Sequence, residues 1–203
     1  MLKTFIIIIM LAGSIAAYAD TEQTKANLLT SFADGQTKTI TAAKIRDLVV
    51  SSVGMTMGAI DYFNTTGTAI TIPSQSDGST NLVRINPATT NYTAMNFDNG
   101  GANDGRLRKT GAVTKHCHIA ITLSGSPATN NDSFVVGLQK NGTPLTVCKV
   151  QQRFGATTDT QVVTYHCDSD MAVNDTIDPM IGNLTAGRNI TIKSLNMFAM
   201  CMQ

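Results

Sequence analysis

The spacing of apolar residues changes character twice along the chain. Thr4 to Ala16 is an apolar run that includes Phe5, Ile6, Ile7, Ile8, Ile9, Met10 and Leu11. Further on, Leu48, Val49 and Val53 fall three, four and eight residues after Ile45, which is one face of a helix. Thr41 stands where a side-chain oxygen can cap that helix. From Gly58 onward the pattern becomes short apolar runs, several alternating with a period of two, divided by turn-forming clusters. Strands are expected at Ala69–Ile72, Leu82–Ile85, Cys117–Leu123, Phe134–Leu138, Leu145–Val150, Gln161–Cys167, Asp175–Asp178, Asn189–Ile192 and Leu195–Met202. Asn86-Pro87, Asp98–Gly105 and Ser124–Asp132 are expected loops. Asn141-Gly142 is the strongest hairpin signal, because both residues tolerate positive φ. Many short strands at this spacing imply an all-β jelly-roll β-sandwich.

The apolar run at the N-terminus has the three parts of an export signal: Lys3, the run itself, and small residues at Ala17 and Ala19. It is shorter than the roughly 20 residues that span a bilayer. It is expected to be a cleaved signal peptide or, alternatively, a hydrophobic anchor. The expected organisation is therefore residues 1–19 as signal or anchor, 20–57 as a helical stem, and 58–203 as the jelly roll.

Composition narrows the function. The net charge is +1, so no nucleic acid partner is expected. Charged residues make up 14% of the chain, Glu22 is the only glutamate, and Trp is absent. Glu22 precedes the β-rich region, so a pair of glycosidase carboxylates would have to come from aspartates. No P-loop, H-E-x-x-H, G-x-S-x-G or G-x-G-x-x-G motif is present. No catalytic residue is assigned, and a non-enzymatic role is expected.

The remaining chemistry-bearing residues form three groups and a set of cysteines. His116 and His118 lie two apart on an expected strand, so both imidazoles share a face. Three copies meeting on an axis would offer six imidazoles to a transition metal. The competing reading is a pair of polar residues on a solvated face. His166 beside Cys167 makes a thin case for a nucleophile pair, since nothing orients it. Asp168, Asp170, Asp175 and Asp178 crowd one stretch that could offer oxygen ligands to calcium, against the simpler reading of a solvated loop. Arg106, Arg108 and Lys109 are the one basic cluster, suited either to a sulfated or phosphorylated surface group or to keeping a strand edge soluble. Cys117, Cys148, Cys167 and Cys201 all fall in or beside expected strands and form no C-x-x-C pair. Disulfides of undetermined pairing and buried thiols are both compatible with that placement.

Several segments resemble the C1q/TNF-like jelly roll as it occurs in phage head-fibre and tail-fibre proteins. Arg106 to Ser124 resembles its first strands and glycine turn. Phe134 to Thr143 resembles the strand ending in Lys-Asn-Gly. Val173 to Asn183 resembles the turn and strand around Gly-Asp-x-Ile, with Asn174 in place of the glycine. Ile190 to Met202 resembles the closing strand, and Ile40 to Val53 a segment common upstream of fibre domains. The resemblance implies a homotrimer acting as a virion structural protein, in capsid decoration or host attachment. Its partners would be other virion proteins or a host cell-surface glycan. The export signal keeps a second expectation open, that of a secreted bacterial adhesin or carbohydrate-binding module. A secreted hydrolase ranks last.

Overall fold

The computed structural model describes residues 42–53, 56–89, 91–101 and 104–202. The expected signal, the first part of the expected stem and the capping Thr41 lie outside them. The chain divides into two compact units, Met1–Val53 and Gly54–Gln203. In the first, helix α1 spans Ala42–Val53, and Ile45, Leu48 and Val49 of its apolar face are exposed. Among the described residues no helix is long and apolar enough to cross a membrane.

The second unit is a jelly-roll β-sandwich. Its strands are β1 (Thr56–Ile70), β2 (Val83–Arg84), β3 (Asn91–Met95), β4 (Phe97–Asp98), β5 (Leu107–Lys109), β6 (Lys115–Pro127), β7 (Asp132–Lys140), β8 (Thr143–Phe154), β9 (Gln161–Met171), β10 (Thr176–Asn183) and β11 (Ile190–Met202). Sheet one has the order β3-β1-β11-β6-β9. Sheet two has the order β4-β5-β10-β7-β8, with β2 also paired to β10. These strands pair antiparallel.

Alternation along each strand builds the core. Cys117, Ile119, Ile121 and Leu123 of β6 point inward, as do Leu195, Met197, Ala199 and Cys201 of β11. They meet Phe134, Val136 and Leu138 of β7 and Ile177 and Ile181 of β10. Phe134 and Phe154 pack edge to face with centroids 5.2 Å apart. Each such aliphatic or aromatic side chain contributes about 1.5–3 kcal/mol through burial. The buried Tyr165 hydroxyl donates across the sandwich to the carbonyl of Gly137 at 2.6 Å. Its burial pushes the phenol's pKa well above its ordinary value.

The expected strands are present and most run longer, although Leu82–Ile85 is reduced to Val83-Arg84 and Thr71-Ile72 fall outside β1. Asn189–Ile192 and Leu195–Met202 are one strand, β11, with an irregularity between Ile192 and Ser194. That irregularity switches parity, so Ile190, Ile192, Leu195 and Met197 all face the core. Ser124–Pro127, expected in a loop, continues β6 because these residues pair with Ile190–Ser194. Ala69-Ile70 is the end of a strand that starts at Thr56, so Thr56 and Met57, expected in the stem, belong to β1. β3 and β4 were not expected. The Asn141-Gly142 turn forms as its residues require, with φ of 52° and 80°. Asn174, standing where the resembled family has glycine, also adopts positive φ, at 68°. Its N–H donates to the Lys109 carbonyl at 2.7 Å.

Candidate functional site

The outward faces of the two sheets are differently covered. On sheet one, registry sets side chains into rows that cross the strands. One row runs Met57 (β1), Met200 (β11), His118 (β6), Asp168 (β9). The next runs Ala59, Phe198, Ala120, His166. A third runs Met202, His116, Asp170. On β1 and β11 the outward residues Met57, Ala59, Phe198, Met200 and Met202 are apolar and are followed by the polar pair Asp61 and Asn196, while the β6–β9 half carries the histidines and aspartates. Phe198 stands between two alanines, so its ring has no tall neighbour in its row. Phe63 is 74% exposed, and Met202 and Val162 are each 60% exposed.

The histidines are held by carboxylates on the neighbouring strand. His116 Nδ1 lies 2.8 Å from Asp170 Oδ1, and His118 Nδ1 lies 2.8 Å from Asp168 Oδ1. His118 Nε2 lies 3.0 Å from His166 Nδ1, and the two rings stack with centroids 5.1 Å apart. His116 and His118 share the outward face, as strand geometry requires, but the imidazole in contact with His118 is that of His166. Among the described residues no group of three or more His, Cys, Asp or Glu is placed to hold a metal ion.

Around β10, sheet two is covered by its own chain, while its edge strand β8 stays largely exposed, with Val147 89% exposed. Ser76 N–H donates to the Asn183 carbonyl at 2.7 Å, and Ile85 N–H donates to that of Pro179 at 2.8 Å. Leu82 and Ser76 lie against Gly182 so closely that a Cβ there would sit 2.7 Å from Leu82 Cδ2. Lys149 Nζ reaches the Gly78 carbonyl at 2.8 Å. The Asp178 side chain is fully buried and paired with Arg84 Nε and Arg106 Nε, each at 2.8 Å. Asp178 and a smaller Coulombic contribution from Asp104 raise the pKa of Arg106, with burial opposing them.

These contacts decide the standing of the basic and acidic clusters. Arg106 is paired with Asp178, and Arg108 donates to Asp98 through Nε at 2.8 Å. Lys109 is fully buried, its Nζ donating to the carbonyls of Gly111 and Val113. The three charges are therefore engaged internally. The four aspartates do not converge either. Asp168 and Asp170 face out from sheet one, and Asp178 is buried in sheet two. Asp175 accepts from Asn141 Nδ2 at 2.7 Å and from the Ala172 N–H at 2.9 Å. Burial raises the Asp175 pKa, but those donors and Lys140 outweigh it, so the group lies below its ordinary value.

Both cysteine pairs are bonded: Cys117 to Cys201 between adjacent strands of sheet one, and Cys148 to Cys167 between β8 and β9. Cys167 faces the core while His166 faces out, so they do not form a nucleophile–base pair. Sequence reasoning missed Asp168 and Asp170 as partners of His118 and His116, and His166 as a neighbour of His118. The signal was there in His116-x-His118 and His166-x-Asp168-x-Asp170, two period-two patterns that antiparallel pairing brings together. The pairing partner of each strand was not readable.

No family model matches the chain, and no curated protein matches it. Solved structures do show similarity. The PRD1 vertex protein P5 aligns over 73% of this chain and 97% of its own, at 12% identity and a TM-score of 0.43. Murine APRIL aligns over 70% of this chain and 98% of its own, at 10% identity and a TM-score of 0.43. The globular domain of zebrafish complement 1qA aligns over 70% of this chain and 94% of its own, at 12% identity and a TM-score of 0.42.

Proposed function

We propose that this chain is a non-enzymatic structural protein of a virion, of head-fibre, decoration or tail-fibre type, in which the jelly roll associates as a homotrimer through the outward face of sheet one. The observation that carries this reading is the apolar patch formed in register by the half-buried Met57, Ala59, Phe198 and Met200, extended by the exposed Met202, with the exposed Phe63 beyond the Asp61–Asn196 pair. Contiguous exposed apolar surface of this kind usually marks a contact with another protein. A stoichiometry of three follows from the sequence resemblance. Association through this face leaves the loops at the ends of the sandwich free for capsid decoration or attachment to a host surface.

Light scattering during size-exclusion chromatography of the purified chain tests the association. The expected mass is three times 21.6 kDa, less the signal peptide in each copy if it is removed. A monomer at micromolar concentration defeats the reading and favours the secreted binding module. Mass spectrometry of purified particles tests the location, since absence of the chain from them excludes a virion role.

A further inference from the structure

We propose that His118 and His166, with Met200 opposite His118 on the neighbouring strand, form a copper-binding site on the outward face of sheet one. The proposal does not depend on association, because all three residues belong to one chain.

A histidine that ligates a metal usually donates its second ring N–H to a carboxylate, which fixes the tautomer and orients the ring. His118 has this arrangement: its Nδ1 is 2.8 Å from Asp168, which leaves the Nε2 lone pair pointing away from the carboxylate. That Nε2 faces His166 Nδ1 at 3.0 Å. Two nitrogens bound at about 2.0–2.1 Å to one ion lie about 3 Å apart at a right angle and about 3.4 Å apart at a tetrahedral angle. The imidazole pair therefore needs little movement to take an ion in place of its shared hydrogen. With His118 accepting at Nε2, that hydrogen belongs to His166 Nδ1. On binding it transfers through solvent to His166 Nε2.

The choice of ion comes from the third donor. Met200 is directly opposite His118 in the β6–β11 register, and directly opposed residues have Cβ atoms about 4.5–5.5 Å apart. Met57 and Met202 are its neighbours on the same face, opposite Met200 and His116 respectively. Thioether sulfur is a soft ligand that selects Cu(I) over harder ions, and imidazole suits copper as well as zinc. Asp and His alone do not complete a site here, so the thioether is the distinguishing donor.

The test is competition for Cu(I) against a chromophoric chelator, with the full oxidised chain and ascorbate as reductant, and Zn(II) run in parallel. The expected result is one Cu(I) per chain. His166→Ala should weaken it by more than about tenfold, and Asp168→Asn by a comparable factor through loss of ring orientation. Met200→Leu should weaken Cu(I) several-fold and leave Zn(II) unchanged. Failure to hold Cu(I) against the chelator, or equal affinity in His166→Ala, overturns the proposal. Equal Cu(I) affinity in Met200→Leu overturns the thioether's part in it. Imidazole nitrogen resonances of the wild-type chain give a check that needs no variant. Those of His118 and His166 must shift on Cu(I) addition, and unshifted resonances overturn the site.

Discussion

The two outward faces of this sandwich differ in what covers them. β10 of sheet two is buried on both sides: Ile177 and Ile181 enter the core, while Asp178 and Met180 are enclosed on the other face. β9 of sheet one is buried on one side only, alternating Val163, Tyr165 and Cys167 inward with exposed Thr164, His166 and Asp168. Among the described residues, the chain lays residues from the 73–89 segment against β10 of sheet two, and no described segment of the same unit lies across the β9 edge of sheet one in this way. A face closed by its own chain serves stability. A face left open with Phe198, Met57 and Met200 on it is available to a partner, and this contrast gives the proposed association its physical basis.

The largest expected effect breaks the contrast from the open side. Phe198→Glu puts a charge in the middle of that face, between Ala59 and Ala120. The core does not use this side chain, so the variant should fold. Its mass in light scattering should fall from three chains to one. Retention of the oligomer would show that the contact lies elsewhere.

The disulfides come next, because they tie the chain at two different distances. Cys117–Cys201 closes a separation of 84 residues, and Cys148–Cys167 closes one of 19. Loop-closure entropy assigns about 4.5 kcal/mol to the first and about 3 kcal/mol to the second. The double variant Cys117→Ala/Cys201→Ala should therefore lose more stability in urea than Cys148→Ala/Cys167→Ala. The reverse order would mean that the bond joining the sheet edges carries native-state packing that the entropy argument omits.

A smaller loss is expected on the closed side from Asp178→Asn. Arg84 and Arg106 would keep their charges and lose the carboxylate they share. Removing one partner of a buried ion pair costs about 3–5 kcal/mol. Both guanidiniums are partly exposed and Arg84 also contacts Asp104, which lowers the expected loss to about 2–3 kcal/mol. Urea unfolding midpoints measure it. A change below about 0.5 kcal/mol would show that water already carries these charges.

How much of this was legible in the sequence follows the same division. Strands with one open face announced themselves: β6 and β9 alternate, and the expected Cys117–Leu123 and Gln161–Cys167 fall within them, short by two residues at the start of β6 and by four at the end of each. The Asn141-Gly142 turn was readable because its backbone demands those residue types. β3 and β4 were not, since Asn91–Met95 and Phe97-Asp98 are short and lean on pairing with β1 and β5. Within the basic cluster, the pairing of Arg106 was hidden because its acceptor is distant in sequence, whereas Arg108 and Lys109 find theirs nearby. Asp178 is 72 residues from Arg106, and only folding brings them together. The histidine pair escaped for the same reason. His118 and His166 are 48 residues apart, and their contact depends on the β6–β9 register.

The smallest expected effect is a pH dependence at the edge of sheet two. The Arg108 guanidinium donates to Asp98 and, with the Gly100 N–H, holds that carboxyl below its ordinary value against the opposing effect of partial burial. Arginine stays protonated throughout, so only Asp98 titrates in this pair. Its pKa is lower folded than unfolded, so the unfolded chain takes up the proton first as the solution is acidified. The stabilisation is complete above the unfolded carboxylate value of about 4 and is lost as pH falls through the folded value. Both side chains are about a third exposed, which limits the contribution to under about 1 kcal/mol. Thermal unfolding of the wild type and Asp98→Asn should therefore differ by a constant amount from pH 5 to pH 7. The two should converge at lower pH. Curves that stay parallel into strong acid would assign the difference to the lost hydrogen-bond geometry rather than to the charge on Asp98.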